Sequence, residues 1–132
     1  MVTAQDIAPL IDACSNDAVG GLLAIPAADT LKQALPSDNS SAPAFRSQRT
    51  LDRSTVWLAQ TPQMFRLGAL LAAMQAQEAS AFAGVTDEAS AIELAGHRPL
   101  LVPGSAHNFK VTYPQDIALA DVLLKQRQEP TP

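Results

Sequence analysis

A single cysteine, Cys14, stands in the 132 residues of this chain. One thiol makes neither a disulfide framework nor a cysteine metal cluster, and here it reads as a small buried hydrophobe on a helix. Only two histidines occur, His97 and His107, at a spacing that suggests no metal. Positive charge is scarce: 9 Lys and Arg against 13 Asp and Glu leave a net charge of −4. That balance argues against non-specific binding to nucleic acid or to anionic membranes, which need a basic surface. No apolar run approaches the roughly 20 residues of a membrane-spanning helix. The first residues lack the basic start and apolar core of a secretory leader. Also absent are a phosphate loop of the Gly-x-x-x-x-Gly-Lys type, a Gly-x-Gly-x-x-Gly turn, a serine elbow and any internal repeat. Together these gaps exclude a self-contained catalytic centre and lead to the expectation of a cytoplasmic protein.

What is present suits one small domain. Apolar residues make up 47% of the chain, enough to supply a core. Five of the ten prolines (Pro26, Pro36, Pro43, Pro62 and Pro103) fall between periodic segments. The spacing of Ile7, Leu10, Ile11 and Cys14 predicts an amphipathic helix over 3–17, capped by Thr3 with Asp6 three residues on. Residues 19–25, with Gly20 and Gly21 inside an apolar run, read as a central strand that Pro26 stops. Residues 29–32 alternate weakly, like a thin edge strand. The stretch 35–45 is too rich in proline and small polar residues to order itself unaided. It reads either as the tip of a projecting arm or as a linker, and 46–53 return from it with Arg46, Arg49 and Arg53.

The stretch 50–65 organises the remainder. Val56 to Ala59 read as a buried strand that Pro62 must end, leaving the Thr61 hydroxyl at the strand's carboxyl end and Arg53 near its start. Ligands sit at such ends in open α/β sheets, although a plain core strand with polar flanks has the same pattern. Further on, 64–77 form a helix with Met64, Leu67, Leu70, Leu71 and Met74 on one face, and 79–84 form a connector of small residues. Thr86 is expected to cap a third helix that opens with Asp87 and Glu88 and that Gly96 ends. The adjacent acids suit either the helix dipole or a metal or general-base site, but neighbours on a helix do not face one another. Short strands are expected at 99–102 and 108–111. Thr112 is expected to cap a last helix whose face includes Ile117, Ala120, Leu123 and Leu124, followed by a frayed polar tail over 126–132.

Five of these motifs stand in one order: Gly20 to Pro26 with Asp29 to Lys32; Leu51-Asp52-Arg53; Thr61 to Phe65; Thr86 to Ala91; and Asn108 to Thr112. From about Thr3 to Leu124 the chain resembles the carboxyl-terminal half of the 2-C-methyl-D-erythritol 4-phosphate cytidylyltransferases. The resemblance implies an α/β fold: a partial Rossmann-like nucleotidyltransferase sheet with a projecting β-arm, here about 26–58, used for dimerisation. It implies an enzyme of non-mevalonate isoprenoid biosynthesis that joins CTP to methylerythritol phosphate, releases pyrophosphate and uses Mg²⁺. It assigns Arg53 to the substrate's phosphate, across a homodimer, and Lys110 to the reacting α-phosphate; Thr30, Thr61 and Thr86 line the substrate site. No metal ligand is assigned to this chain. The family's glycine-rich CTP loop, and the segment carrying its metal-binding aspartate, have no counterpart in the sequence. Ala28 and Ser105-Ala106-His107 also depart from the family pattern near the substrate loop. The expectation is therefore a fragment holding the substrate-binding and dimerisation half, inactive in isolation. The alternatives are a non-catalytic truncated module, or a related enzyme for ribitol phosphate.

Overall fold

The computed structural model describes residues 2–36 and 44–128. Helix α1 spans Ala4–Cys14 and is entered through a complete capping box. The Asp6 N–H donates to Thr3 Oγ1 (3.2 Å), and the Thr3 N–H donates to Asp6 Oδ2 (2.8 Å). Leu10 and Cys14, one turn apart, are buried. Ile11, expected on the same face, is 45% exposed, so the inward stripe is narrower than its spacing implied. Asp17 Oδ1 then accepts from the N–H groups of Val19 and Gly20 and turns the chain into strand β1, Gly20–Pro26. Gly20 has φ +109°, and a Cβ there would collide with the Met64 carbonyl oxygen, so only glycine fits.

β1 is the centre of a three-stranded sheet. Strand β4, Trp57–Phe65, pairs with it antiparallel, and β5, Leu100–Pro103, pairs with it parallel. α1 lies against this sheet: Leu10 and Cys14 meet Leu23 and Val102, with Met64 and Leu100 packed around them. Full burial of a leucine contributes about 1.5–3 kcal/mol, and Leu10 and Leu23 are both fully buried, so this pair fixes the helix on the sheet.

β4 departs from the sequence expectation. Pro62 does not end it; the strand runs three residues further. Leu22 pairs with Gln63 and Ala24 with Ala59, so Gln60, Thr61 and Pro62 bulge opposite Leu23 alone. A bulge needs no ladder N–H at every position, and proline is admitted there. The Thr61–Pro62 peptide is cis. Nor is this strand buried: Leu58 is 47% exposed and Ala59 is exposed, because β4 is a sheet edge in this chain.

Helix α2, Leu67–Gln77, begins after the expected point because Met64 and Phe65 belong to β4. Its buried position is Ala73, while Leu67 and Leu71 face outward. It packs on α3, Glu88–Leu94, which buries Ala89, Ala91 and Ile92; small side chains let two helices approach closely. A 3₁₀ turn, Glu78–Ser80, starts the connector between them. Residues 108–111 form no strand. Asn108 turns its side chain inward instead, as described below. The last helix, α4, spans Pro114–Gln128. Its first turn is closed not by the Thr112 hydroxyl but by Asp116 Oδ2, which accepts from the N–H groups of Thr112 and Tyr113. Ala120 and Leu123 are half-buried, whereas Ile117 and Leu124 of the expected face are exposed.

A separate two-stranded ladder stands within 26–58. β2, Lys32–Ala34, pairs antiparallel with β3, Ser47–Thr50, and begins later than the expected 29–32 strand. Its residues are all exposed, and side chains reinforce it: Lys32 Nζ donates to Thr50 Oγ1, and Arg49 Nε to Gln33 Oε1. Residues 37–43 of the expected tip and 129–132 of the expected tail lie outside the described residues. Among the described residues no helix is long and apolar enough to cross a membrane.

Candidate functional site

The β4 bulge opens on a cleft of about 520 Å³. Leu58 to Thr61 and Gln63 form one wall, Asp87 comes from the start of α3, and Ala106 and Asn108 to Lys110 come from the loop after β5. Lys110 and Thr61, 49 positions apart in sequence, therefore share one concavity. Thr61 lies within a strand rather than at its carboxyl end. Thr86 is exposed and does not line the cleft. Its N–H and its Oγ1 donate to Ser90 Oγ (2.8 and 3.4 Å), immediately before the cleft residue Asp87.

Thr30 and Arg53 lie elsewhere, exposed on the stem of the β2–β3 ladder. Two backbone bonds bracket that stem: the Leu51 N–H donates to the Leu31 carbonyl, and the Ala27 N–H to the Val56 carbonyl. Thr30 and Arg53 thus sit across the same pair of segments, and neither lines the cleft of its own chain.

Two glutamines to which the sequence assigned no site role join the cleft's walls. Gln63 Oε1 accepts from the Ala89 N–H (2.7 Å), and its Nε2 donates to Asp87 Oδ2 (2.8 Å). Gln60 Nε2 donates to the carbonyls of Ser105 (2.8 Å) and Asn108 (3.1 Å). A signal existed for both: a long polar amide flanking each side of Thr61-Pro62 needs partners if the strand is half-buried.

Asp87, not Thr86, caps α3. Its Oδ1 accepts from the Ser90 N–H (2.9 Å), while Ser90 Oγ accepts from the Asp87 N–H (3.0 Å). Burial pushes its carboxyl upward and is the largest single influence, but the bonds from Gln63 and Ser90 together outweigh it and hold the group below its ordinary value. With both oxygens engaged, Asp87 is a cap and a bridge to β4. It is the cleft's one carboxylate among the described residues. Among the described residues no group of three or more His, Cys, Asp or Glu could hold a metal ion.

Asn is as good an N-cap as Asp, yet Asp87→Asn is expected to destabilise the fold by about 1–2 kcal/mol at neutral pH. The new amide NH₂ would face Gln63 Nε2. Turning the Gln63 amide around would instead set its NH₂ against the Ala89 N–H, so one donor loses its acceptor either way. The sign with pH follows from the depressed carboxyl. Its contribution is present above the unfolded aspartate value, about 3.9, and is lost as pH falls through the lower native value. Urea melts at neutral pH and at successively lower pH check this: the gap between variant and wild type is expected to narrow below roughly pH 4.

A mixed α/β fold of this kind matches solved proteins of the nucleotidyltransferase class. The Francisella tularensis 2-C-methyl-D-erythritol 4-phosphate cytidylyltransferase crystal structure superposes with a TM-score of 0.79 at 36% identity, over 92% of this chain and 53% of that one. A crystal structure of 4-diphosphocytidyl-2C-methyl-D-erythritol synthase gives 0.77 at 44% identity, over 93% and 51%. In sequence, the 2-C-methyl-D-erythritol 4-phosphate cytidylyltransferase of Bordetella petrii is 58% identical over 115 residues, which are 87% of this chain and 47% of that protein. The bifunctional enzyme IspD/IspF of Albidiferax ferrireducens is 53% identical over 127 residues, 96% of this chain and 28% of that protein. The model of the IspD family, 2-C-methyl-D-erythritol 4-phosphate cytidylyltransferase, matches residues 1–126. The chain belongs to this family. It spans about half the length of the single-function relatives it matches.

Proposed function

We propose that this chain carries the polyol-phosphate half of a cytidylyltransferase, in which CTP and 2-C-methyl-D-erythritol 4-phosphate join with release of pyrophosphate. The observation that carries the reading is the meeting of Lys110 and Thr61 in one cleft. In the reaction, a phosphate oxygen of the polyol phosphate attacks the α-phosphorus of CTP. The bond from that phosphorus to the β-phosphate bridging oxygen breaks, and the electron pair leaves with pyrophosphate. A lysine ammonium beside the reacting phosphate stabilises its oxygens as charge redistributes, and a threonine hydroxyl can donate to the same group. Arg53 and Thr30 stand on the ladder stem, outside their own cleft, which suits delivery to the cleft of a second copy. A guanidinium fork there would grip the polyol phosphate bidentately. The partner is thus a homodimer mate joined through the arm. The setting is the cytoplasm. Mg²⁺ and the CTP triphosphate would be held by family segments that have no counterpart in these 132 residues.

The 132-residue chain on its own is expected to bind methylerythritol phosphate in a calorimetric titration and to release no pyrophosphate when CTP is added. Ribitol phosphate, titrated in parallel, is expected to bind more weakly. A folded chain with no affinity for either phosphate would overturn the assignment of the cleft. CTP-dependent turnover in the ordinary enzymatic range, on the order of 1–10³ per second, would overturn the half-site reading.

A further inference from the structure

Lys110 belongs to no helix or strand, yet the reading above requires its ammonium in a fixed place. The loop that carries it starts at Gly104, whose N–H donates to the Ala24 carbonyl (2.9 Å). Beyond that anchor, the loop is tied to the β4 bulge by two side-chain amides that answer one another. From the bulge, Gln60 reaches the loop carbonyls of Ser105 and Asn108. From the loop, Asn108 Nδ2 donates to the bulge carbonyl of Thr61 (2.6 Å). Asn108 is 9% exposed, the buried polar residue of the described core.

The geometry points to Gln60 and Asn108 as a reciprocal clamp: two positioning residues that hold the Lys110 loop and the Thr61 bulge at one separation. Three observations favour a positioning role over packing. First, both N–H donors of the Gln60 amide face carbonyl oxygens, so the amide cannot be reversed without setting oxygen against oxygen. Second, this orientation leaves Gln60 Oε1 buried with no hydrogen-bond partner among the described residues. An unmade acceptor at a buried site is unfavourable, and an apolar side chain of the same size would avoid it. A glutamine stands here despite that penalty. Third, the neighbouring position is cleared for it, since a Cβ on Gly104 would collide with Gln60 Oε1. Neither residue need touch substrate; each acts through the backbone on either side of it. The inference deepens the proposed function and rests on its placing of Lys110.

Two measurements on the 132-residue chain separate the clamp from that reading. Hydrogen exchange followed by NMR tests the clamp alone. In Gln60→Met, the amides of 106–110 are expected to exchange roughly 10-fold faster while those of α1 and β1 keep their rates. Asn108→Ser, which opens the clamp from the other side, is expected to act on the same amides should Gln60→Met fold poorly. Unchanged loop exchange, or equal acceleration everywhere, would overturn the clamp whatever the chain binds. The second measurement is a double-mutant cycle on affinity for methylerythritol phosphate. Gln60→Met is expected to weaken binding about 10-fold in the wild-type background and less than about 2-fold in Lys110→Ala, because a residue acting through Lys110 has nothing left to position. Additive losses would show a structural role only and overturn the proposal. A wild-type chain with no affinity would sink the assignment of the cleft, and the exchange rates would still decide the clamp.

Discussion

Lys110→Ala is expected to lower kcat by ~10²–10³, the range seen when one donor to a transition-state oxyanion is deleted. The variant is made in a chimera that joins this chain to the portion of the Bordetella petrii enzyme it does not match. The effect is expected on kcat because Lys110 lines the cleft, and under the proposed function its ammonium stands where charge redistributes over the α-phosphate oxygens. The same charge is less needed when the substrate merely sits there. KM for either substrate is expected to change by much less. Steady-state kinetics with each substrate varied in turn makes the check. A rise in KM with kcat intact would mean that Lys110 binds the ground state and transition state equally.

Arg53→Ala in the same chimera is expected to raise KM for methylerythritol phosphate by roughly 10- to 150-fold, the worth of a charge-assisted pair of about 1.5–3 kcal/mol. KM for CTP should stay nearly unchanged, since the guanidinium is assigned to the polyol's own phosphate. Lysine at this position is expected to restore only part of the loss, because a point charge lacks the planar fork. Arg53 is exposed and lies outside its own cleft. A large effect from so solvated a side chain therefore requires that something else bury it, and the second subunit's site is the candidate.

Local signals carried the parts of the fold that depend on neighbours in sequence. The Thr3–Asp6 capping box, the buried run of β1 and the polar excursion after Pro26 were all legible because each is decided within a few residues. What sequence could not show was decided across the sheet. Pro62 is a terminator by local rule, yet it sits inside β4, because the register slip against Leu23 removes the demand for its missing N–H. Asn108 to Val111 alternate like a strand, but the Asn108 amide is committed to the Thr61 carbonyl 47 positions away. Thr86 and Asp87 compete for one cap, and Asp87 takes it because Gln63 and Ser90 both bond its carboxylate.

The candidate site divides along the same line. Thr61 and Lys110 could be named from their motifs, and the structure brings them into one cleft; Thr86 stands just outside, and Thr30 and Arg53 remain on the stem. Gln60 and Gln63, which hold the walls together, had no site role in the sequence reading. Their significance lies wholly in partners 24 to 48 positions distant. A helical period cannot reveal such partners, and neither can a strand alternation.

Mixing the Arg53→Ala chimera with the Lys110→Ala chimera tests the shared site most directly. In a two-fold dimer, an arginine that serves the opposite cleft leaves one site with both residues intact and one with neither. Verified heterodimers, separated from the parent homodimers by different affinity tags, are expected to recover about half the wild-type kcat per dimer, with the wild-type KM for methylerythritol phosphate. Heterodimers no more active than the two parents would place Arg53 and Lys110 in the same subunit's site and contradict the exchange of arms.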